Sequence, residues 1–383
     1  MTPACPVCHR RRSVPFIERR RMPVHQNLLL RTPEEARAVA RGDLGLRACM
    51  SCGLLWNAAF RPELLSYGPQ YDSNQTCSAV FDGYVESLID ALVANGVRGM
   101  HVVEVGCGRG YFLARLCAKG DSTGSGFDPA YAGPSTSDDG RVRYFCEPFE
   151  PSRAPQADVI VCRHVIEHVA DPTSLLRAIR AALRPSPRSA VYFETPALEW
   201  ILENVAFWDF FYEHCNYFTA EALANASRVA GLAPLLAWRT FGGQYQWLMS
   251  KVAGVEAVKH PKSLSAAQKS YTAAEHRRVL GLQAMMDRFA AGGGLAVWGA
   301  AAKGVTFANL IDSDATRVKC LIDVNPAKYG HFVAGTGHRI VAPQDARGLG
   351  VTDVVAMNPA YLAEIRGMVS RLDASMRVHS LEE

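Results

Sequence analysis

Short apolar runs alternate with longer amphipathic stretches along most of the chain, which predicts an α/β fold with buried parallel strands. The clearest unit begins with the apolar run His101–Val105, a predicted strand. The chain then passes through a loop with glycines at alternate positions and enters a segment whose apolar residues have helical spacing, namely Phe112, Leu113, Leu116 and Cys117. Alternate glycines allow a tight turn from strand to helix, so a ligand can approach the main chain closely.

Similar strand patterns follow in the order that a doubly wound sheet requires. The run Ser125–Asp128 predicts a second strand and places an acid at its end, 18 positions after Gly110. An acid at this place can reach a ribose diol, because a carboxylate accepts from both hydroxyls. Residues 157–168 predict a buried parallel strand and its loop, Pro172 suits the first turn of the helix that follows, and residues 188–196 predict a further strand.

The loop Glu104-Val-Gly-Cys-Gly-Arg-Gly110 and the later segment Cys162–Pro172 resemble the corresponding parts of class I S-adenosylmethionine-dependent methyltransferases. An ordinary tight turn is the alternative for the loop taken alone. The resemblance implies a Rossmann-like methyltransferase core with S-adenosylmethionine as cofactor. The cofactor-binding residues that it implies are Glu104, Gly106, Cys107, Gly108, Gly110, Phe127, Asp128, Arg163 and His164.

Two C-x-x-C pairs precede this core, with 40 residues between them; their members are Cys5, Cys8, Cys49 and Cys52. Four thiolates complete a tetrahedral site and leave no open coordination position, so we expect a structural zinc ion. Four unrelated cysteines are the alternative. The arginine triplets at 10–12 and 19–21 lie between the pairs, but nearby acids dilute them, and we interpret them as a solvated face instead of a nucleic-acid site.

A third domain follows a polar linker predicted at residues 251–265 and an amphipathic helix predicted at 266–290. A strand at 295–298 enters Gly299-Ala-Ala-Ala-Lys-Gly304, where glycines, a lysine and a helix start favour phosphate binding, with a plain turn as the alternative. Another strand is predicted at 318–323. Asn358-Pro-Ala-Tyr361 resembles a loop of amino-group methyltransferases, but it lies in the wrong domain and we interpret it as a turn. The predicted domains are 1–70, zinc-binding; 71–250, methyltransferase; and 251–383, Rossmann-like and substrate-binding.

The segment Phe207–Phe218 carries Glu213 and His214 among aromatic side chains. An apolar environment raises the pKa of a carboxyl group and favours the neutral form of an imidazole, which suits a general base near neutral pH. An aromatic core with a satisfied histidine is the alternative, because Glu-His pairs are common.

At this point the chain resembles the sugar C-methyltransferases of deoxysugar biosynthesis, which combine a four-cysteine zinc domain, a methyltransferase core and a C-terminal Rossmann-like domain. Their motif Tyr-His-Glu-His-x-x-Tyr-Phe matches residues 211–218, although Phe211 and Tyr212 depart from it. The segments WGAAAKG, IDVNPAKYG and VAGTG also resemble their C-terminal domain, which helps to hold the nucleotide-sugar. The resemblance implies catalytic roles for Tyr71, His168, Tyr212, Glu213 and His214. Substrate contacts are implied for Tyr217, Gly299, Lys303, Asp323 and Lys328.

The leading hypothesis is methylation of a carbon next to a ketone on a nucleotide-linked sugar. His214 is the expected base, oriented or electrostatically supported by Glu213. Tyr71, Tyr212 or His168 would stabilise the enolate oxygen, and Lys303 would anchor the diphosphate. Cys107 and Arg109 replace an Asn-Asp pair of the family's glycine loop, which loosens the choice of substrate. Oxygen or nitrogen methylation of a nucleotide-sugar or another metabolite is one alternative, and a non-catalytic assembly protein is another.

Length, charge and cysteine content bear on the number of domains, the class of binding partner and the cellular compartment. A chain of 383 residues predicts two or three domains, and its net charge of +4 is too small to imply binding to nucleic acid or membranes. The opening residues do not resemble a signal peptide, and no apolar run is long enough to span a bilayer. Eleven cysteines then indicate a reducing compartment. We therefore expect a cytoplasmic monomer or small homo-oligomer that acts on a small molecule.

Overall fold

The computed structural model describes residues 2–68, 70–72, 74–260, 264–292 and 294–381. These residues form a four-stranded, a seven-stranded and a five-stranded sheet. Each sheet lies mainly in one of the three ranges predicted as domains, although the short strand Asn216–Tyr217 of the middle range belongs to the four-stranded sheet.

The N-terminal domain is an antiparallel sheet with one short helix. Its elements are β1 (Ser13–Pro23), α1 (Pro33–Arg37), β2 (Arg41–Cys49) and β3 (Leu55–Asn57). Strand β2 lies between β1 and β3 and pairs antiparallel with both. The two Cys-x-x-C turns lie just before β1 and between β2 and β3, so the sheet brings them together.

The central domain contains a seven-stranded sheet covered by helices. Its elements are α2 (Ala79–Ala94), β4 (His101–Val105), α3 (Tyr111–Lys119), β5 (Thr123–Phe127), β6 (Val142–Phe145), β7 (Val159–Arg163), α4 (Pro172–Ala182), β8 (Ala190–Pro196), α5 (Leu198–Glu203), β9 (Asn216–Tyr217), α6 (Ala220–Val229), β10 (Leu232–Thr240) and β11 (Tyr245–Val252). The strand order is β10-β11-β8-β7-β4-β5-β6, and β11 is antiparallel to both of its neighbours. The order reverses next to β4, which places the ends of β4, β5 and β7 at the position where open α/β sheets bind ligands.

Local sequence explains why two of these helices begin where they do. Asp171 precedes α4, and its carboxylate accepts a hydrogen bond from Ser174 N at 3.0 Å, while Pro172 occupies the first turn. The hydroxyl of Ser78 accepts from Phe81 N at the start of α2. This hydroxyl also donates to the carboxylate of Glu364, 2.6 Å away, so the C-terminal domain helps to cap α2.

The C-terminal domain is a parallel sheet of Rossmann type. Its elements are α7 (Leu264–Ala291), β12 (Leu295–Trp298), α8 (Ala302–Ile311), β13 (Cys320–Ile322), β14 (Ile340–Val341), β15 (Asp353–Ala356), α9 (Leu362–Leu372) and β16 (Arg377–Ser380). The strand order is β14-β13-β12-β15-β16, with every pair parallel.

Some sequence-based boundaries need correction. Strand β13 is shorter than the predicted 318–323, and β11 runs into the predicted linker, of which residues 261–263 lie outside the described part of the chain. The interpretation of Asn358–Tyr361 as a turn is confirmed, because the Asn358 side chain accepts a hydrogen bond from Ala360 N at 3.0 Å and caps a short 3-10 helix. Among the described helices, none is both long and apolar enough to cross a bilayer.

The three domains share a hydrophobic core. One buried cluster combines Phe16 and Leu44 of the N-terminal sheet, Trp208 and Phe210 of the central domain, and Phe307 of α8. Strand β9 also leaves the central domain and pairs antiparallel with β3, Leu55 opposite Tyr217. The segment that carries Glu213 and His214 is therefore held between the N-terminal and C-terminal domains.

Candidate active site

The glycine loop after β4 has the backbone that its sequence predicts. Gly106, Gly108 and Gly110 all have positive φ angles, of 71°, 53° and 80°. A Cβ atom at Gly106 would lie 2.2 Å from the Val165 side chain, and one at Gly110 would lie 2.6 Å from the Tyr144 ring. A Cβ atom at Gly108 would meet nothing within 4 Å, so this part of the loop is open to a ligand.

Two acids lie beside this loop. The Asp128 carboxylate, at the end of β5, accepts hydrogen bonds from Gly108 N at 2.9 Å and Ala130 N at 2.8 Å and keeps lone pairs for a diol. Burial raises the pKa of Glu104 to about 8, and no described residue makes a hydrogen bond to its Oε2. An open glycine turn, a half-buried acid at the next strand end and an unsatisfied buried acid fit the cofactor that the sequence implies.

Other predicted cofactor residues have structural roles. The Cys107 side chain is buried beneath Gly126, and Phe127 stacks on Phe145 with 4.7 Å between ring centroids. Only the main chain of Cys107 and Phe127 remains for a ligand. Arg163 contacts its own domain below the site, because its Nε donates to Glu194 Oε2 at 2.6 Å and its guanidinium lies over the Phe112 ring.

His164 follows β7 in the left-handed region, with a φ of 52°. Its Nε2 lies 3.5 Å from Glu194 and its Nδ1 3.4 Å from Glu167. The hydroxyl of Tyr84 also donates to Glu194, and together with Arg163 it keeps the pKa of this buried carboxyl group below its ordinary value. These groups form a buried charged layer under the half-exposed His164 ring.

The loop between Phe211 and Tyr217 is closed by one phenol. The Tyr217 hydroxyl accepts from Phe211 N and donates to Phe211 O, both at 3.0 Å. Strand β9 then fixes the same residues against β3. These contacts leave Tyr217 no free hydroxyl hydrogen for a substrate, which corrects its predicted role.

Glu213 is directed toward the N-terminal domain. Its Oε2 accepts from Gln26 N at 2.9 Å, and the phenols of Tyr67 and Tyr71 face the same carboxyl group. Burial raises the pKa of Glu213 to about 7, and the hydrogen bond from Gln26 N limits that rise. The pKa of Tyr71 is raised by burial and by the negative charge of Glu213.

His214 has different neighbours. Its ring centroid lies 4.0 Å from Phe211 and 4.6 Å from His168, which stands nearly perpendicular to it. Burial lowers the pKa of both histidines, so both are neutral imidazoles near neutral pH. A nitrogen of each ring and a carboxylate oxygen of Glu167 lie within 4.8 Å of one another.

The predicted contact between Glu213 and His214 needs correction. No hydrogen bond between their side chains occurs in the described structure, because one residue faces Gln26 and the other faces His168. The structure also does not bring Tyr212 to this site. Its hydroxyl accepts from Arg61 N at 2.9 Å, and its ring packs on Phe60.

Sequence reasoning missed several residues around the site. Glu167, Tyr67, Gln26 and Asn27 all lie near the predicted catalytic groups, in segments with no distinctive motif. The sequence does indicate Glu167, because this residue directly precedes the predicted His168. The Asn27 amide lies 3.5 Å from the Tyr71 hydroxyl.

Asp72 connects the cofactor loop with the C-terminal domain. Its Oδ2 accepts from Arg109 of the glycine loop at 2.8 Å, and its Oδ1 accepts from the side-chain amide of Asn325 at 3.1 Å. The neighbouring Tyr71 therefore occupies a segment fixed by the N-terminal domain, the cofactor loop and the third sheet.

The predicted phosphate loop packs against the central domain. Lys303 donates to both oxygens of Asp209, at 2.7 and 2.6 Å, so its charge is already paired. Asp323 accepts from Ala300 N at 2.9 Å, and Lys328 donates to Ala300 O and to Asn27. Asp323 and Lys328 thus shape this loop, and so does Gly299, which enters it with a φ of 116°. Contact between a substrate and these three residues or Lys303 remains a prediction.

The four N-terminal cysteines converge as their spacing predicts. Their sulfur atoms lie within 4.8 Å of one another, with Cys5 3.5 Å from Cys52 and Cys8 3.5 Å from Cys49. Four cysteine sulfurs in one cluster fit a four-coordinate zinc ion. Cys5, Cys49 and Cys52 also pack with strands of the central sheet, and Asn225 of α6 donates to Cys52 O at 3.1 Å.

Comparison with protein families identifies two parts of the chain. Residues 80–237 match a family described as a methyltransferase domain, and residues 251–368 match one described as a C-methyltransferase C-terminal domain. The two matches follow one another along the chain. Its seven-stranded sheet is the Rossmann-like sheet of class I S-adenosylmethionine methyltransferases.

Curated relatives match only part of the chain. A ubiquinone biosynthesis O-methyltransferase of Bordetella avium (strain 197N) is 29% identical over 162 residues, which are 37% of this chain and 66% of the relative. One from Actinobacillus pleuropneumoniae serotype 5b (strain L20) is 30% identical over 115 residues, 27% of this chain and 48% of the relative. The chain thus spans about half to two thirds of the length of these relatives.

Among solved structures, the chain is similar to the 1,6-didemethyltoxoflavin-N1-methyltransferase of Burkholderia thailandensis with bound 1,6-didemethyltoxoflavin and S-adenosylhomocysteine. The identity is 18% and the TM-score 0.35, with 46% of this chain and 81% of the other covered. An O-methyltransferase family protein of the same organism gives 19% identity and a TM-score of 0.36, covering 46% of this chain and 59% of the other.

Proposed function

We propose that this protein transfers a methyl group from S-adenosylmethionine to a carbon next to a ketone on a nucleotide-linked sugar. The observation that carries the proposal is the position of His214, a neutral imidazole at the carboxyl end of the methyltransferase sheet, in a chain whose third domain matches a C-methyltransferase C-terminal domain. Carbon methylation requires a base near the cofactor, because the acceptor carbon must first lose a proton.

The cofactor would lie along the carboxyl ends of β4 and β5. The open turn at Gly108 admits a ligand to the main chain, and Asp128 offers its remaining lone pairs to the ribose hydroxyls. Glu104 lies beneath this turn with an unsatisfied oxygen. When bound, S-adenosylmethionine supplies a methyl group on a positively charged sulfur.

His214 is the proposed base. It is half-buried and therefore reachable from the site, whereas Glu213 is only 1% exposed and already accepts from Gln26 N. His214 takes the proton from the acceptor carbon, and the electron pair of the broken bond forms the enolate. His168, whose Nδ1 makes no hydrogen bond to a described residue, and the Tyr71 hydroxyl are the proposed donors to the enolate oxygen.

The third domain is the proposed holder of the nucleotide. The resemblance assigns the diphosphate to the loop that starts at Gly299, and the start of α8 offers main-chain amides there. Lys303 shares its charge with Asp209, so we propose that the amides contribute more to this contact than the lysine does. We also propose a structural zinc ion at the cysteine cluster.

The test uses the purified full chain, a panel of nucleotide-linked keto-sugars and heavy water, with mass spectrometry as the readout. We expect deuterium uptake at the acceptor carbon without the cofactor and a carbon-bound methyl group with it. His214→Ala should retain cofactor binding and lose both signals. Normal turnover of this variant would refute the assignment of the base.

Methylation of oxygen is the second candidate, because the curated relatives are named as O-methyltransferases. Transfer to oxygen needs no enolate. A methyl group on oxygen, gained without deuterium uptake in the same assay, would favour this candidate over the first.

A further inference from the structure

Glu167 is a buried acid to which the proposed reaction has so far assigned no role. Its side chain is 1% exposed, and neither carboxylate oxygen makes a hydrogen bond to any residue that the structure describes. A buried carboxylate without donors is unfavourable unless a positive charge compensates it. The surroundings of Glu167 should therefore contain the group that carries this charge.

The fold holds Glu167 close to the proposed base. The Cys215 thiol donates to the Glu167 carbonyl at 3.4 Å, and the Asn216 side chain donates to Val169 O at 2.7 Å. These two contacts join the short turn after β7 to the residues that directly follow His214. They explain why a carboxylate oxygen of Glu167 lies within 4.8 Å of a ring nitrogen of both His168 and His214.

His168 is the second imidazole beside Glu167. The negative charge of Glu167 raises the pKa of His168, although burial lowers it overall, and the backbone carbonyl of Glu213 also favours the protonated ring. Its Nδ1 makes no hydrogen bond within the described residues. The three groups thus form a cluster in which one negative charge faces two neutral imidazoles.

We propose that Glu167 is a positioning residue that stabilises the positive charge formed when His214 accepts the proton, with His168 as the second ring of the cluster. The proposal rests on the proposed function. The proton passes from the acceptor carbon to His214, and the electron pair of the broken bond remains in the enolate. A carboxylate close to the new imidazolium compensates its charge where water is largely excluded.

Other charged groups around the two rings have to be considered, because they act on the same protonation step. They are His164, Glu194 and Arg163 at the ends of β7 and β8, Glu213 on the loop of His214, and Lys303 on α8. Arg163 and Glu194 neutralise each other, as do Lys303 and Asp209. Glu213 faces Gln26, so Glu167 is the remaining acid close to both histidines, and its other neighbour is the His164 ring, whose Nδ1 lies 3.4 Å from Glu167 Oε1.

The main test replaces Glu167 with Gln, which preserves size and removes the charge. We expect the deuterium exchange rate and kcat to fall about a hundredfold, within the range for general acid–base catalysis, with KM and cofactor affinity unchanged. The acidic limb of the pH–rate profile should move to lower pH, because the imidazolium loses its counter-charge. Glu167→Asp should recover part of the rate, and it serves as the second variant if Glu167→Gln does not fold.

The matched control is Glu199→Gln. Glu199 is a half-buried acid with an oxygen unpartnered in the described structure, but it lies at the start of α5 and accepts from Ala220 N at 2.9 Å. Its replacement should leave the deuterium exchange rate and kcat within about twofold of the wild-type values. This change is much smaller than the loss expected when general acid–base catalysis is impaired. An equal loss of rate in both variants would overturn the proposal.

A second readout separates this proposal from the proposed function. Histidine NMR titration of the full chain, without any acceptor, should show a lower pKa for His214 in Glu167→Gln than in the wild type. An unchanged pKa would overturn the role of Glu167, even if the enzyme methylates carbon. Absence of wild-type exchange combined with a shifted pKa would instead refute the proposed function alone.

Metal analysis by native mass spectrometry provides the last check. We expect the cysteine cluster to account for all bound divalent metal in the wild type, in Glu167→Gln and in Glu199→Gln. A second divalent ion that is present in the wild type and Glu199→Gln but absent from Glu167→Gln would overturn the proposal, because the positive charge near Glu167 would then be a metal ion.

Discussion

Replacement of Glu213 with Gln should make the protein relatively more stable at alkaline pH. Burial raises the pKa of Glu213 from an ordinary value of 4.5 to about 7. The folded protein therefore binds this proton more tightly than the unfolded chain does, and the stability that the group contributes is lost as pH rises from 4.5 through 7. Gln stays neutral throughout this range and keeps an oxygen for Gln26 N.

The size of the effect follows from the same pKa. Between pH 5 and pH 8.5 the wild type should lose about 2.5 kcal/mol of unfolding free energy relative to Glu213→Gln, since one pKa unit corresponds to about 1.4 kcal/mol. Other titrating groups, including Glu104, cancel because both proteins contain them. Urea unfolding of the two proteins at both pH values measures this difference.

Glu194→Gln is the control, because the pKa of this buried carboxyl group is lowered instead of raised. Arg163 and Tyr84 hold the pKa of Glu194 below its ordinary value, so this group is ionised in both the folded and the unfolded state above pH 5. The stability difference between this variant and the wild type should be the same at both pH values. If the difference for Glu213→Gln is also constant, within about 0.5 kcal/mol, our account of the buried carboxyl group is wrong.

Three further predictions concern the loop, the motif and the cysteines. Gly110→Ala should lower the unfolding free energy by about 1–3 kcal/mol and weaken cofactor binding, measured by calorimetry, at least tenfold. The reason is that the backbone is left-handed at Gly110 and the Tyr144 ring occupies the space of a Cβ atom. Losses no larger than those of Gly108→Ala would contradict this reasoning. Tyr212→Phe should lower the unfolding free energy by about 1 kcal/mol yet keep the exchange rate within threefold, and a large loss of rate would restore its catalytic role. Cys52→Ser should lower the melting temperature by about 5 °C or more, since the cysteine cluster packs on the central sheet; an unchanged melting curve would show that no metal stabilises the fold.

Local patterns in the sequence were sufficient for the elements that build the cofactor site. The strand His101–Val105, the helix that follows and the three left-handed glycines are each specified within about ten residues. The two cysteine pairs are likewise recognisable from spacing alone. For these features, backbone sterics and hydrophobic periodicity leave few alternatives.

The side-chain partners could not be predicted in the same way, because they depend on contacts between distant segments. Lys303 pairs with Asp209 and Tyr212 with Arg61, although no local pattern connects them. Glu213 and His214 are adjacent in sequence but contact different domains. The order of residues in a motif therefore did not reveal which groups act together.

The pairing of β3 with β9 has a consequence for synthesis of the chain. Trp56 and Asn216 are neighbours in the N-terminal sheet but lie 160 positions apart in sequence. At about 5–20 residues per second, about 8 to 30 s separate the emergence of β3 from that of its partner strand. During this interval the N-terminal domain exposes an unpaired strand edge that could pair with another chain. The strand that completes this sheet begins two residues after His214, so the N-terminal domain and the active-site loop reach their final form in the same folding step.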